Sequence, residues 1–200
     1  DAHAAIWDKP LRPSAKAEHL VFPTVLSKPA KKISGDFGEL LLRQAQPADI
    51  EGFTNYITNL SESSMRLRFH GLSTTPEEIA ARALTNDPDR SYTIILTEPS
   101  KTRPAVVGEA TFSLLPNGKS AEFGISIADN YQRKGLSKFL MAALEEEALS
   151  RGLTELVGYV LKDNGGMSKM MQKRGYSQTE DEADPHINLF SLELPEEASD

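Results

Sequence analysis

Asp129-Asn130-Tyr131-Gln132-Arg133-Lys134-Gly135-Leu136-Ser137 lies between two strongly patterned segments. Before it, Ser120 to Ala128 alternates Phe123, Ile125 and Ile127 with Glu122, Gly124 and Ser126, the period-two signature of a strand with one face buried. After it, Leu136, Phe139, Leu140, Ala143 and Leu144 recur at helical spacing, and Arg151-Gly152 supplies a last-turn charge and a C-terminal glycine. A strand that runs through a glycine-bearing loop into a helix leaves several backbone N–H groups unpaired, at the positive end of a macrodipole of roughly half a charge. Gly135 permits close approach, and Arg133 and Lys134 add two positive charges. Such a junction suits a diphosphate. It carries neither G-x-x-x-x-G-K-[ST] nor G-x-G-x-x-G. An exposed turn ahead of a surface helix uses the same residues, and by themselves they leave both readings open.

The pattern continues on both sides. Upstream, Glu39 to Arg43 predicts a strand; Pro47, Ile50, Phe53, Ile57 and Leu60 predict a helix; and Ser61 to Ser64 reads as a polar loop. Thr75-Pro76-Glu77-Glu78 is a capping box with proline at the first helical position, followed by Ile79, Ala80, Ala83 and Leu84. Strands follow at Tyr92–Thr97 and Val106–Leu115, the latter joined to Ser120–Ala128 by the turn Pro116-Asn117-Gly118-Lys119. Downstream, Leu153–Leu161 predicts a strand, Met167–Lys173 a short helix, Tyr176 the start of another strand and Ile187–Leu194 a last one. The order βααβββαβαββ predicts an α/β (α+β) chain built on one mixed sheet. Residues 1–36 differ: Pro10, Pro13, Pro23 and Pro29, the pair Lys31-Lys32 and the break Ser34-Gly35-Asp36 suggest an N-terminal arm, partly ordered or disordered, with Trp7 and Leu20-Val21-Phe22 available for packing. No continuous apolar core follows a basic start there, so the arm is not read as a secretory signal. Residues 37–200 are expected to form the one folded domain.

Composition narrows the function classes. The 200 residues carry a net charge of −7, are 39% hydrophobic and 26% charged, and include no cysteine. Disulfide frameworks, thiolate metal sites and cysteine nucleophiles are thereby excluded. An acidic balance argues against a general nucleic-acid binder, because that affinity comes mainly from Lys and Arg on phosphates. No apolar run approaches the ~18 residues of a membrane span. The expectation is a cytoplasmic protein with a small-molecule or protein partner, no nucleic acid, no membrane, and a monomeric or homodimeric state. His3, His19, His70 and His186 share no ligand spacing, so no metal is expected.

Gln132-Arg133-Lys134-Gly135-Leu136-Ser137 resembles the Q/R-x-x-G-x-G/A signature of the GNAT superfamily of acyl-CoA-dependent N-acetyltransferases, placed as in that family between the fourth strand and the long helix. The resemblance extends through Val160-Leu161-Lys162-Asp163-Asn164-Gly165-Gly166-Met167 to Arg174-Gly175-Tyr176 and covers roughly residues 39 to 194. Leu60-Ser61-Glu62-Ser63-Ser64 with Arg68-Phe69, Ala121-Glu122-Phe123 and Asn164-Gly165-Gly166-Met167 is similar, more narrowly, to the catalytic domain of bacterial Pat-type protein lysine acetyltransferases.

The resemblance implies a fold with a splay between the fourth and fifth strands, and acetyl-CoA as cosubstrate. It implies that backbone groups around Ile125, Ser126 and Ile127 pair with the pantetheine arm. Gln132, Arg133, Lys134, Gly135, Leu136 and Ser137 would then hold the diphosphate, and Asn164, Met167 and Met170 would line the far side. The acyl carbonyl would lie beside a backbone N–H of the fourth strand. An attacking lysine, with a reference pKa near ~10.4, needs a base. Glu122 is the residue implied, with Glu109 on the preceding strand in reserve. Two positions depart from the family pattern: Ser137 stands for the final Gly/Ala, and Met171 stands where many relatives carry a tyrosine that protonates the thiolate. The implied activity is acetyl transfer to a primary amine, a lysine on a protein such as a metabolic acyl-CoA synthetase. A small-molecule amine acetyltransferase is the alternative, and a non-catalytic acyl-CoA-binding sensor is a reading of another class.

Other signals have plainer readings. Arg66 and Arg68 suit either an acidic patch on a protein substrate or pairing with local glutamates. Glu145-Glu146-Glu147 reads most simply as the solvated face of its helix.

Overall fold

The computed structural model describes residues 29–70, 74–85, 87–100 and 104–195. Trp7, Leu20-Val21-Phe22, His3 and His19 therefore lie outside the described residues. The elements are β1 (Lys31–Gly35), β2 (Gly38–Gln44), α1 (Ile50–Thr58, entered through a 3₁₀ turn at Pro47–Asp49), α2 (Glu62–Phe69), α3 (Pro76–Thr85), β3 (Ser91–Thr97), β4 (Val106–Leu114), β5 (Ser120–Ile127), α4 (Ser137–Ser150), β6 (Glu155–Leu161), α5 (Gly165–Lys173), β7 (Ser177–Glu180) and β8 (Ile187–Glu193). They build one mixed sheet in the order β1-β2-β3-β4-β5-β6-β8-β7. The expected fourth and fifth strands are β5 and β6.

Helices cover both faces, which is why the central strands β3 and β4 are buried almost throughout. On one face Leu140, Met141 and Leu144 of α4 pack on Phe112, Phe123, Leu156 and Phe190. On the other, Phe53 and Ile57 of α1, Phe69 of α2 and Ile79 of α3 gather around Ile95. The α3 capping box forms as its sequence predicts: Thr75 Oγ1 accepts from the Glu78 N–H at 3.3 Å, and the Glu78 carboxylate accepts from the Thr75 N–H at 3.1 Å.

The structure departs from the sequence expectation in three places. Lys31–Gly35, expected in the arm, is an edge strand whose Lys31–Gly35 backbone runs antiparallel to Gly38–Leu42. Only Ile33 of this strand is buried, so periodicity had little to report. Ser61–Ser64, expected as a loop, opens α2: Ser61 is its N-cap and accepts from the Ser64 N–H. Of α2 only Phe69 is buried, because Ser64, Leu67 and Arg68 line a cleft rather than covering core. Finally, two of the three glutamates expected on a solvated face are held by arginines. Glu147 is 2% exposed and accepts from Arg151 Nε at 2.8 Å, and Glu145 binds Arg174 and the Tyr176 hydroxyl.

All strand pairs are antiparallel except β5 with β6, which run parallel and meet only at Ser120↔Glu155, Ala121↔Leu156 and Glu122↔Val157. Among the described residues, β5 from Phe123 onward keeps β4 on one side and pairs with no strand on the other. At the parting point the Phe123 ring lies on Gly158 of β6, where a Cβ would meet the ring at 2.5 Å. The splay expected from the family resemblance is thus present, and it starts at Glu122.

Candidate active site

Two clefts flank the splay. One, of about 260 Å³, is bounded by Glu122, Phe123 and Gly124 of β5, Gly158 and Tyr159 of β6, Phe69 and His70 at the end of α2, and Ala183 and Asp184 between β7 and β8. The other, of about 380 Å³, runs from Ile125 along β5 to the junction with α4. Leu67, Arg68, Ile125, Asn164 and Met167 line both, so the two clefts meet over the unpaired edge of β5.

The second cleft gathers Ile125, Ser126, Ile127, Gln132, Arg133, Gly135, Leu136, Ser137, Asn164, Met167 and Met170. Lys134 is not part of this wall; its Nζ sits 5.0 Å from the Tyr131 ring centroid. Ser64, Leu67, Arg68, Tyr131 and Gly166 complete the wall without having been singled out for it in sequence. The chain reaches α4 through left-handed backbone at Arg133 (φ 59°) and Gly135 (φ 74°). The first conformation is uncommon for a residue with a Cβ and costs of order 1 kcal/mol. Among the described residues no backbone carbonyl accepts from the N–H groups of Arg133 to Ser137. Helix-start amides and the left-handed loop that carries Arg133 therefore lie at one end of a cleft that also contains the unpaired part of β5. That combination fits the diphosphate and amide-bearing arm of a coenzyme A thioester.

The junction is fixed from α2. The Asp129 carboxylate accepts from the Ser61 N–H at 2.9 Å, from Ser61 Oγ at 2.7 Å and from Ser64 Oγ at 2.8 Å. Burial acts to raise its pKa, but the hydrogen bonds from Ser61 and Ser64 outweigh it and hold the carboxyl below the ordinary aspartate range. Gln132 Nε2 donates to Ser64 Oγ at 2.9 Å and to the Ile127 carbonyl at 3.0 Å. Ser61, Ser64 and Gln132 thus belong to one construction, although they are far apart in sequence. Across the cleft, Asn164 caps α5 by accepting from the Met167 N–H at 3.2 Å. Arg66 bridges the mouth to Asp163 at 2.8 Å, with both side chains about half exposed.

Beneath the β5 edge lies a buried polar network. Arg68 Nε donates to Glu109 Oε1 at 2.7 Å, with side chains 9% and 2% exposed. Ser126 Oγ donates to the same oxygen at 2.7 Å and Thr111 Oγ1 to the other at 3.2 Å, while the Tyr56 hydroxyl meets Ser126 Oγ at 2.8 Å. Burial, followed by the Glu109 charge, raises the Tyr56 pKa well above its ordinary value. Arg66 and Arg68 are therefore both paired with carboxylates of this chain. Glu109, the reserve base, has its oxygens engaged by three donors and belongs to the scaffold.

Glu122 is half-buried on the wall of the first cleft, on the β5 face that also carries Gly124 and Ser126. Tyr159, on β6, lines the same cleft; its pKa is raised first by burial and then by the Glu122 charge. Sequence offered no signal for Tyr159, because its place beside Glu122 depends on the register of a three-pair ladder. Met171 is fully buried in the α4 core, whereas Met167 and Met170 reach the cleft. Among the described residues no group of three or more His, Asp or Glu could hold a metal ion, and no helix is long and apolar enough to cross a membrane.

Comparison with known proteins agrees with this geometry. The family described as "Acetyltransferase (GNAT) domain" matches residues 39–177. A curated relative, "Acetyltransferase Pat" of Mycolicibacterium smegmatis, is 27% identical over 134 residues, which are 67% of this chain and 40% of the relative. The chain thus spans well under half of that protein's length. Among solved structures, the GNAT domain of S. lividans PAT superposes with a TM-score of 0.72 at 18% identity, covering 82% of this chain and 97% of that one. The ribosomal-protein-S5-alanine acetyltransferase of Vibrio fischeri superposes with a TM-score of 0.63 at 14% identity, covering 82% and 96%. The family match spans more than half of the sequence and every residue that lines the second cleft: this chain belongs to the GNAT acetyltransferase family.

Proposed function

We propose that this domain transfers an acetyl group from acetyl-CoA to a primary amine, and that the acceptor is a lysine side chain on a protein. The observation that carries the proposal is the meeting of two clefts at the unpaired β5 edge, with Glu122 on the wall of one and the left-handed junction at the end of the other. Acetyl-CoA supplies a reactive thioester when bound. The amides of Arg133 to Ser137 and the Arg133 guanidinium neutralise its diphosphate. The free edge of β5 from Phe123 to Ile127 offers backbone groups to the amides of its arm and a donor to the acyl oxygen. Leu67, Met167 and Met170 supply the apolar walls.

A lysine arriving through the other cleft carries a proton that must leave before nitrogen can attack, since its reference pKa is near ~10.4. Glu122 accepts that proton, directly or through water. Glu109 does not, because Arg68, Ser126 and Thr111 already occupy its oxygens. The C–N bond forms as the C–S bond breaks, and the departing coenzyme A thiolate takes its proton from water, because Met171 has no proton to give and lies in the core. A protein acceptor is favoured by the likeness to Pat, and Ser64, Arg68, Phe69, Asn164 and Met167, from the stretches that resemble the Pat-type catalytic domain, line the two clefts.

The test is transfer from labelled acetyl-CoA by the wild type and Glu122→Gln. Mass spectrometry of a treated lysate is expected to find acetyl-lysine on proteins, and the variant is expected to lose about 10²- to 10⁴-fold in kcat while its affinity for coenzyme A stays close to the wild type's. Undiminished turnover in the variant removes Glu122 from the mechanism. Transfer to small amines alone replaces the protein acceptor.

A further inference from the structure

We propose that Arg68 sets the acyl-chain length this domain accepts, favouring acetyl over butyryl, by holding a charge-paired wall where the two clefts meet. The inference rests on the acyl-transfer reading of the site. A carbon that must be reached from both clefts lies against the residues common to both: Leu67, Arg68, Ile125, Asn164 and Met167. Leu67, Ile125 and Met167 are apolar, and a methionine in particular adapts its shape to a neighbour. Asn164 is committed to capping α5. Arg68 is the charged member of the set, and its position is fixed from three sides. Its Nε is bound to Glu109 at 2.7 Å. Its Cζ lies 4.8 Å over the Phe69 ring. Its guanidinium lies flat against Gly124, where a Cβ would come within 2.3 Å of Nη1.

The space beside the β5 backbone at Gly124, between Glu122 and the start of the coenzyme-side wall at Ile125, is thus filled by a guanidinium. A longer acyl chain directed there meets a wall that does not yield. Moving Arg68 aside strands the Glu109 carboxylate, which is buried and hydrogen-bonded by Ser126 and Thr111. Leaving it in place presses methylene groups onto a cation with little water around it. An acetyl group is short enough to avoid both outcomes. The same pairing explains why β5 carries glycine at 124: any side chain there would occupy the guanidinium's place.

Calorimetric titration of the full chain with CoA, acetyl-CoA and butyryl-CoA, in the absence of any acceptor amine, reads the proposal as a ratio of dissociation constants. That ratio is insensitive to a loss of folded protein, which scales all three ligands alike. The wild type is expected to bind butyryl-CoA at least about tenfold more weakly than acetyl-CoA, and the ratio is expected to fall about fivefold or more in Arg68→Met/Glu109→Gln, which removes the wall without leaving a lone buried charge. A wild-type ratio near one, or a ratio unmoved in the double variant, overturns the proposal. If melting shows the double variant unfolded, Arg68→Lys decides: it keeps an ion pair but loses the flat group over Gly124, and an unmoved ratio there also overturns it. Failure of CoA and acetyl-CoA alike to bind overturns the proposed function; binding of both with an unmoved ratio overturns this inference alone.

Discussion

The two halves of β5 differ in what holds them. Ala121 and Glu122 have a strand on each side, β4 and β6, and Ser120 pairs with β6 and is further bound through its hydroxyl to Glu155. Among the described residues, Phe123 to Ile127 have β4 alone. An unpaired run of strand is ordinarily unfavourable, because buried amides need partners. Here the loose half is secured by other means: the Phe123 ring on Gly158, the Arg68 guanidinium on Gly124, and the Ser126 hydroxyl on Glu109. Phe123 is held from one face and Gly124 and Ser126 from the other, while the backbone edge stays open. The lesson is that a sheet can leave main-chain groups available to a ligand without becoming slack, provided side chains on both faces do the holding.

That contrast can be broken most severely at Arg68. Arg68→Ala leaves Glu109 buried without its cation, and unfolding in denaturant is expected to show a loss of about 3–5 kcal/mol, a large part of an ordinary domain's stability. Gly158→Ala pushes a methyl into the Phe123 ring at the parting point, and a smaller loss of about 1–3 kcal/mol is expected in the same measurement. The Asp129 link to α2 is weaker because it is exposed, and it shows in pH. Its folded-state pKa is lowered, so its contribution is complete above the unfolded value of about 3.9 and is lost as pH falls through the lower, folded-state value. Melting temperatures in that acid range are expected to fall less steeply for Asp129→Asn than for the wild type. Smallest is Asp163→Asn, which breaks only the exposed bridge from Arg66 and is expected to cost under about 1 kcal/mol.

Arg66 and Arg68 also show where sequence reading stops. They stand two residues apart, and nothing local separates an arginine that is 9% exposed on its side chain from one that is 48% exposed. The strand–junction–helix run from Ser120 to Ser150 was legible because period-two and helical spacing meet at a single glycine-bearing turn, and the structure keeps both elements to within a residue or so. The family resemblance carried by Gln132–Ser137 and Asn164–Met167 drew attention to residues of which all but Lys134 and Gly165 line the second cleft. Helix α2 was hidden because a helix facing a cleft has no apolar stripe, although the Ser61 cap was there to be read. Strand β1 was hidden because one buried isoleucine makes no period. The pairing of Arg68 with Glu109 needed the register of β4 against β5 and the placement of α2 above it, which arise only when the whole sheet is assembled.

Backbone hydrogen exchange with and without acetyl-CoA tests the central claim most directly. Slowed exchange is expected for amides of Phe123 to Ile127 and of Arg133 to Ser137 when acetyl-CoA is added, with β2 and β3 unchanged. Protection that spares both segments, or that falls on a different surface, would contradict it.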